Sequence, residues 1–274
     1  MYVDFEYANR RLSDFGCIMC HINTDSGMQE VDIGCDITFN TVKNSQSSLH
    51  RVTSSTYENV YTTTFEIMKN VCGKSQDDIF MTPDEVRQLT KWLNRREYYK
   101  FKMYNPDYDI ASYIYFGSFN IKQIMLNKKV IGLSLTFTSN SPYALGEKLS
   151  VSLDISEENE LVYLYGDSDE YGNIYPMMKI FFKEACNEFT ITNNTTGNVV
   201  YLRNCEKDEI VTLDGEFKII TTDNDEHTTL YNDFNYEYLD ILIDESDFNE
   251  NEYEVSNPCI ITIEYYPVRK VGVY

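Results

Sequence analysis

The chain of 274 residues has one tryptophan, three histidines and six prolines, and no run near the about 18 consecutive apolar residues that a membrane-crossing helix requires. Its opening, MYVDFEYANRR, lacks the basic-then-apolar order of a secretory signal, so synthesis in a cytoplasm and a reduced state are expected. The seven cysteines are odd in number and scattered apart from Cys17 and Cys20. That pattern argues against a disulfide framework and for free thiols at small core positions. Neither a G-x-S-x-G elbow nor a glycine-rich phosphate loop is present, and His21, His50 and His227 each lack a local partner pattern. Carboxylates are abundant, but no pair is marked out for acid–base work by its spacing. No enzyme, cofactor or metal is therefore expected.

Cations are scarce in only one half. Residues 1–145 hold 15 Lys/Arg against 16 Asp/Glu, a net of −1, whereas residues 146–274 hold 8 against 28, a net of −20. So sharp an asymmetry marks a domain boundary. The stretch TSNSPYALGEKLS, 138–150, supplies Ser-Pro and Gly linker chemistry at that place. An acidic half has little with which to displace counterions from a phosphate backbone, and anionic membrane surfaces repel it. Neither sequence-specific nucleic acid nor membrane is an expected partner. The basic residues nearest to forming a cluster are Arg95, Arg96, Lys100 and Lys102.

What the chain does have is strand-forming material: 14 % aromatic residues, with 23 Tyr and 15 Phe, among many Thr, Val and Ile. Alternation predicts strands over 2–7, 17–22, 29–42, 57–69 and 127–139. In the last of these Ile131, Leu133, Leu135 and Phe137 lie opposite Val130, Gly132, Ser134 and Thr136. In the second half, 189–202 and 209–220 read as hairpins. The turn of the first, NNTT, ends in Gly197, and that of the second carries Asp214-Gly215, a type I′ signal. Segments 236–244 and 259–268 complete a set of short antiparallel strands of the kind that build a sandwich.

One stretch departs from this pattern. In MTPDEVRQLTKWLNRREYYKFKMYNP, 81–106, Thr82 is placed to cap a helix, with Pro83 at its first position and Glu85 completing a capping box. Val86, Leu89, Trp92 and Leu93 then recur at helical spacing as one apolar stripe. After Asn94 the period becomes two, putting Tyr99, Phe101 and Met103 on one face. Val86, Leu89, Trp92, Leu93 and Phe101 are the candidate site residues, as a helix–strand brace.

CIMCH, 17–21, has the spacing of a haem attachment motif, but haem attachment needs an exported protein and this segment alternates as a strand. As half of a zinc site it lacks a second close pair, with only Cys35 and distant histidines to help. DSDEYGN, 167–173, has Asp, Asp and Gly where a calcium loop wants them, yet Tyr171 replaces an oxygen ligand and Met178 stands where the bidentate Glu belongs. An acidic turn is the plainer reading. Tyr201, Tyr231, Tyr236 and Tyr238 could together form an aromatic platform for a sugar.

Several stretches resemble the distal tail proteins of siphophages and prophages, components of the tail-tip or baseplate hub. They are FEYANRRLSDFGCIM (5–19), LTKWLNRREYYKFKMYNPDYDIASYIYFGSFNIKQI (89–124) and GLSLTFTSNSPYAL (132–145), then YPMMKIFFKEACNEFTITNNTTG (175–197), EIVTLDGEFKIITTDN (209–224) and NPCIITIEYYPVRKV (257–271). The sequence departs from the family where ANRR replaces a glycine in the first turn and where 238–253 is acidic. The resemblance implies a mainly β protein: an N-terminal β-sandwich with one short helix and an extended hairpin over 1–145, then a galectin-like β-sandwich over 146–274. It further implies a homohexameric ring at the virion tail tip. Such a ring joins the major tail tube protein to a tail-associated lysin or tail fibre protein, and to a receptor-binding protein, and lets DNA pass. A carbohydrate-binding adhesion module is the alternative.

Overall fold

Thr82 opens the longer of the two α-helices among the described residues as its chemistry dictates. Its hydroxyl accepts from the Glu85 amide at 3.3 Å, while Glu85 Oε2 accepts from the Thr82 amide at 2.7 Å. In the computed structural model, residues 4–20, 35–43, 49–71, 79–104, 113–245 and 248–271 are described. His21 and parts of the strands expected over 17–22 and 29–42 lie outside them.

The chain forms two compact units, residues 1–146 with 269–274, and residues 147–268. The second domain expected from sequence ran to residue 274, but the compact unit ends at Val268. Among the described residues the first unit contains β1 (Asp4–Tyr7), β2 (Arg10–Arg11), β3 (Cys17–Cys20), β4 (Ile37–Lys43), β5 (His50–Tyr57), β6 (Thr62–Lys69), α1 (Pro83–Leu93), β7 (Tyr99–Tyr104), β8 (Tyr115–Leu126), β9 (Lys129–Ser139) and β10 (Ala144–Leu145). Seven of these strands make one antiparallel sheet in the order β2-β1-β7-β8-β9-β6-β3. β8 and β9 are long and are joined through Asn127 and Lys128, both left-handed, the backbone a two-residue hairpin turn demands.

The sheet curls over on itself. Phe5 on β1 meets Phe65 on β6 at 5.5 Å between ring centroids although three strands separate them in the sheet order, and Phe101 stacks on Phe137 at 4.4 Å. Phe119 completes this aromatic core. From Leu133 onward β9 alternates as expected, with Leu133, Leu135 and Phe137 buried and Ser134 and Thr136 half-exposed, but Gly132 is buried and Ile131 half-exposed where the β8–β9 register shifts. β4 and β5 stand apart as a two-stranded ribbon.

The second unit carries β11 (Leu149–Ile155), β12 (Glu160–Tyr165), β13 (Gly172–Ile174), β14 (Met177–Phe182), β15 (Cys186–Asn193), β16 (Val199–Cys205), β17 (Ile210–Asp214), β18 (Ile219–Thr222), α2 (Leu230–Asp233), β19 (Ile241–Ile243), β20 (Glu250–Val255) and β21 (Cys259–Tyr265). A five-stranded sheet, β11-β21-β14-β17-β18, faces a four-stranded one, β12-β20-β15-β16, over a core that includes Phe182, Phe189, Ile191, Ile261 and Ile263. The molecule is mainly β throughout.

Two local expectations fail for physical reasons. The β17–β18 connection is not a type I′ turn. Asp214 Oδ1 accepts from the amides of Glu216 and Phe217 at 3.1 and 3.0 Å, and Lys218 is the left-handed residue. Gly215 is needed for closeness instead: a Cβ there would stand 2.7 Å from the Pro176 carbonyl oxygen. The strand expected over 236–244 shortens to β19, because Asp240 is buried as an acceptor. Asn193 Nδ2 and Asn198 Nδ2 donate to its Oδ1, each at 3.1 Å, and Thr196 Oγ1 does so at 3.2 Å. The β15–β16 turn does end in a left-handed Gly197.

Candidate assembly surfaces

Trp92 lies where α1, β1 and the short 3-10 turn Leu12–Phe15 converge. Its ring stacks on Phe15 at 4.5 Å and lies nearly parallel to Phe5 at 5.6 Å, and Nε1 donates to the Tyr7 carbonyl at 2.8 Å. Val86, Leu89 and Leu93 are buried with it, and Phe101 approaches from β7 against Phe5. The five residues singled out from sequence thus share one core cluster. Lys69 on β6 ties the helix to the sheet through Glu85, 2.9 Å away. Burial opposes ionisation of Glu85, yet its hydrogen bonds from Thr82 and Lys69 hold the carboxyl below its ordinary value. A crevice of about 220 Å³ beside this pair is lined by Arg10, Asp14, Lys69, Glu85 and Gln88, and its central cation and anion already neutralise each other.

The β4–β5 ribbon is rooted by the Glu58 amide on the Asp36 carbonyl at 2.9 Å and by Tyr57 edge-on to Tyr143. Its register gives it two unlike faces. The pairs Ile37↔Tyr57, Phe39↔Ser55 and Thr41↔Val52 share one face, and Thr38↔Thr56, Asn40↔Ser54 and Val42↔Arg51 share the other. On the first face Ile37, Phe39 and Val52 are 45 %, 57 % and 54 % exposed. An isolated two-stranded ribbon is marginal in water, and an apolar face left open on one is the kind of surface that marks interaction sites. Alternation over 29–42 marks β4 but not β5, and nothing in it shows that the pair leaves the main sheet.

The basic residues near α1 are engaged differently. Arg95 donates to the Trp92 carbonyl at 3.0 Å and lies over the Tyr99 ring, Arg96 is exposed, and Lys102 stands directly across from Glu6 on β1. The outer face of the four-stranded sheet in the second unit is acidic and aromatic: Glu254, Glu252 and Glu250 on β20 pair with Leu161, Tyr163 and Tyr165 on the edge strand β12. The adjacent glutamates raise both tyrosine hydroxyls above the ordinary value by hydrogen bonding.

Buried polar groups in this unit mostly bond within the structure, while among the described residues His227 Nε2 is buried without a hydrogen bond. His227 Nδ1 lies 2.7 Å from Glu209 Oε1, and its Nε2 lies 3.4 Å from Asp233 Oδ2. Thr222 donates to Glu209 at 2.6 Å, while Thr229 and Asn204 donate to Asp233. The Thr229 hydroxyl, with His227 and Asn204 after it, holds Asp233 below its ordinary carboxyl value against the opposing effect of burial. His227 is a core polar residue, and its partners lie too far along the chain for a local motif to show. His50 is exposed on β5.

Cys17 and Cys20 lie on β3, whose partner is β6, and burial pushes both thiols up to about 11. Among the described residues no group of three or more metal-binding side chains converges. The four tyrosines considered as a platform are dispersed in character: Tyr238 is buried, Tyr201 bonds Glu188 and Arg203, and only Tyr231 and Tyr236 are well exposed.

Residues 1–141 match the family described as a phage tail protein N-terminal domain, and residues 143–265 match a phage tail C-terminal domain. No curated protein sequence matches. Among solved structures, the SPP1 Dit protein, described as a paradigm of the hub adsorption apparatus of phages infecting Gram-positive hosts, aligns with a TM-score of 0.63 at 10 % identity, covering 97 % of this chain and 99 % of that one. A chain of the phage P2 baseplate in its activated, calcium-bound conformation aligns at 0.47 and 8 % identity, over 99 % and 100 % of the two chains. With its two units matched in turn by tail-protein domains, and its fold shared with a tail hub protein, the chain belongs to the phage tail protein family.

Proposed function

We propose that the protein is a structural distal tail subunit, without catalytic activity, that closes into a homohexameric ring between the tail tube and the tail-tip or baseplate proteins and leaves a passage for DNA. The β4–β5 ribbon carries this reading. It projects an apolar face of Ile37, Phe39 and Val52 that a single chain leaves in water, and a heterologous contact of this kind closes into a ring when its rotation permits. Residues 1–145, close to neutral, form the ring without strong self-repulsion. Residues 146–274, at a net of −20, form the outer domain and keep the assembly soluble. The Val86, Leu89, Trp92, Leu93 and Phe101 cluster braces the subunit from which the ribbon projects. The partners are the major tail tube protein, a tail-associated lysin or tail fibre protein, and a receptor-binding protein. The protein is made in the bacterial host cytoplasm and resides at the virion tail tip.

Native mass spectrometry of the full chain tests the reading. A hexamer, alone or in exchange with monomer, is expected, and Phe39→Asp is expected to leave only monomer with an unchanged melting temperature. A wild-type protein that is strictly monomeric at micromolar concentration, alone and with the tail tube protein, overturns it. A second reading, a carbohydrate-binding adhesion module, draws on Tyr163 and Tyr165, 47 % and 58 % exposed beside Glu252 and Glu250. Glycan binding abolished by Tyr163→Ala would favour that role for the second unit.

A further inference from the structure

We propose that Cys186 and Cys205 form an oxidisable pair that closes into an intrachain disulfide across the β15–β16 hairpin. They are register partners on adjacent antiparallel strands. Residues directly opposed in such a ladder have Cα atoms about 4.5–5.5 Å apart, inside the about 4.4–6.8 Å that a disulfide spans without moving the backbone. Regular alternation alone would not bring both thiols inward, since Glu188 and Arg203, the next partners along the ladder, face solvent. The register omits the Asn187–Asn204 step, and Asn204 is left-handed with φ of 53°. Beyond this irregularity Cys205 is buried in the core and Cys186 packs against the same cluster.

Each thiol shifts the other, lowering Cys186 and raising Cys205, and Cys205 Sγ donates to the Arg203 carbonyl at 3.7 Å. Cys186, only partly buried, is therefore the entry point. The oxidant is a small disulfide such as oxidised glutathione. The Cys186 thiolate attacks one of its sulfurs, forming a mixed disulfide and expelling one glutathione thiolate, which takes up a proton. Cys205 then gives up its proton to solvent and attacks the Cys186 sulfur, breaking the mixed disulfide and releasing the second glutathione as a thiolate, which is protonated in turn. Two protein thiols are oxidised and one small disulfide is reduced to two thiols. The pair stays reduced in a cytoplasm and closes in an oxidising medium.

The test incubates the full chain with oxidised glutathione or with dithiothreitol, alkylates it, and maps the peptides by mass spectrometry. Expected is the loss of two hydrogens per chain, a linked Cys186–Cys205 peptide, and a melting transition of the second unit about 10 °C higher, because the bond closes a loop of about 20 residues. Dithiothreitol reverses all three. Cys186→Ala, at the half-exposed position, abolishes them, as does Cys205→Ala if that variant folds. Persistent alkylation of both thiols, arrest at glutathionylated Cys186, or a linked pair that includes Cys259 overturns the proposal.

Discussion

At Trp92 one side chain fills a core position, stacks on two rings and donates a buried hydrogen bond, so its two shortest replacements separate these roles. Trp92→Ala is expected to cost about 3–5 kcal/mol through lost transfer energy and the cavity left behind. Trp92→Phe keeps an aromatic ring but loses the bond to the Tyr7 carbonyl, worth about 1 kcal/mol; urea unfolding reads both. Wild-type stability in the Ala variant would place the tryptophan in solvent. The burial of Trp92 was legible because helical spacing aligned it with Val86 and Leu89. That of Asp240 was not, because its donors, Asn193, Thr196 and Asn198, come from a turn more than one strand away in sequence. Asp233 has a pH consequence. Its folded-state value lies below the ordinary 3.8, so the stability it contributes is fully present above that value and is lost as pH falls through the lower folded one. Acid titration of the melting temperature is expected to show this loss in the second unit, with a smaller acid-dependent loss in Asp233→Asn.

Among the elements, α1 was the easiest to read, since its start is set by residues three apart. Thr82→Ala is expected to cost about 1 kcal/mol by freeing the Glu85 amide, measured by thermal or chemical melting. The β17–β18 turn was harder. Asp-Gly signalled a two-residue loop, but the Asp214 side chain pairs with the two amides beyond Gly215 and draws the connection out to Lys218. The role of Gly215 depends on the approach of Tyr175 and Pro176, which no local window contains. Gly215→Ala is expected to destabilise the second unit by about 1–3 kcal/mol through overcrowding. A neutral result would mean that the backbone there yields freely. For β4, alternation indicates a strand, but β5 escapes it because its mostly polar residues show no apolar alternation, and which sheet a strand joins is settled by long-range pairing.

For the whole molecule, the net charges of −1 and −20 in the two halves were legible by counting, and they bear on nucleic acid directly. Few Lys/Arg are available for counterion release, and Arg95 and Lys102 lie beside protein partners. No duplex DNA binding is therefore expected in fluorescence anisotropy at about 50 mM salt and micromolar protein, a condition under which phosphate contacts remain strong. Binding abolished by charge reversal at Arg95 and Arg96 would contradict this. Counting could not show where the last residues go. Tyr115 donates to the Val271 carbonyl at 3.2 Å and Lys270 lies over Tyr143, so the chain leaves the first unit after Gly146 and is back on it from Arg269. The second unit is therefore tied covalently at one crossing, after Gly146, while its own C-terminal extension is held on the first unit by noncovalent contacts. A proteolytic nick at Arg269 leaves the covalent link after Gly146 intact, whereas a nick after Gly146 leaves only the noncovalent hold of the C-terminal residues.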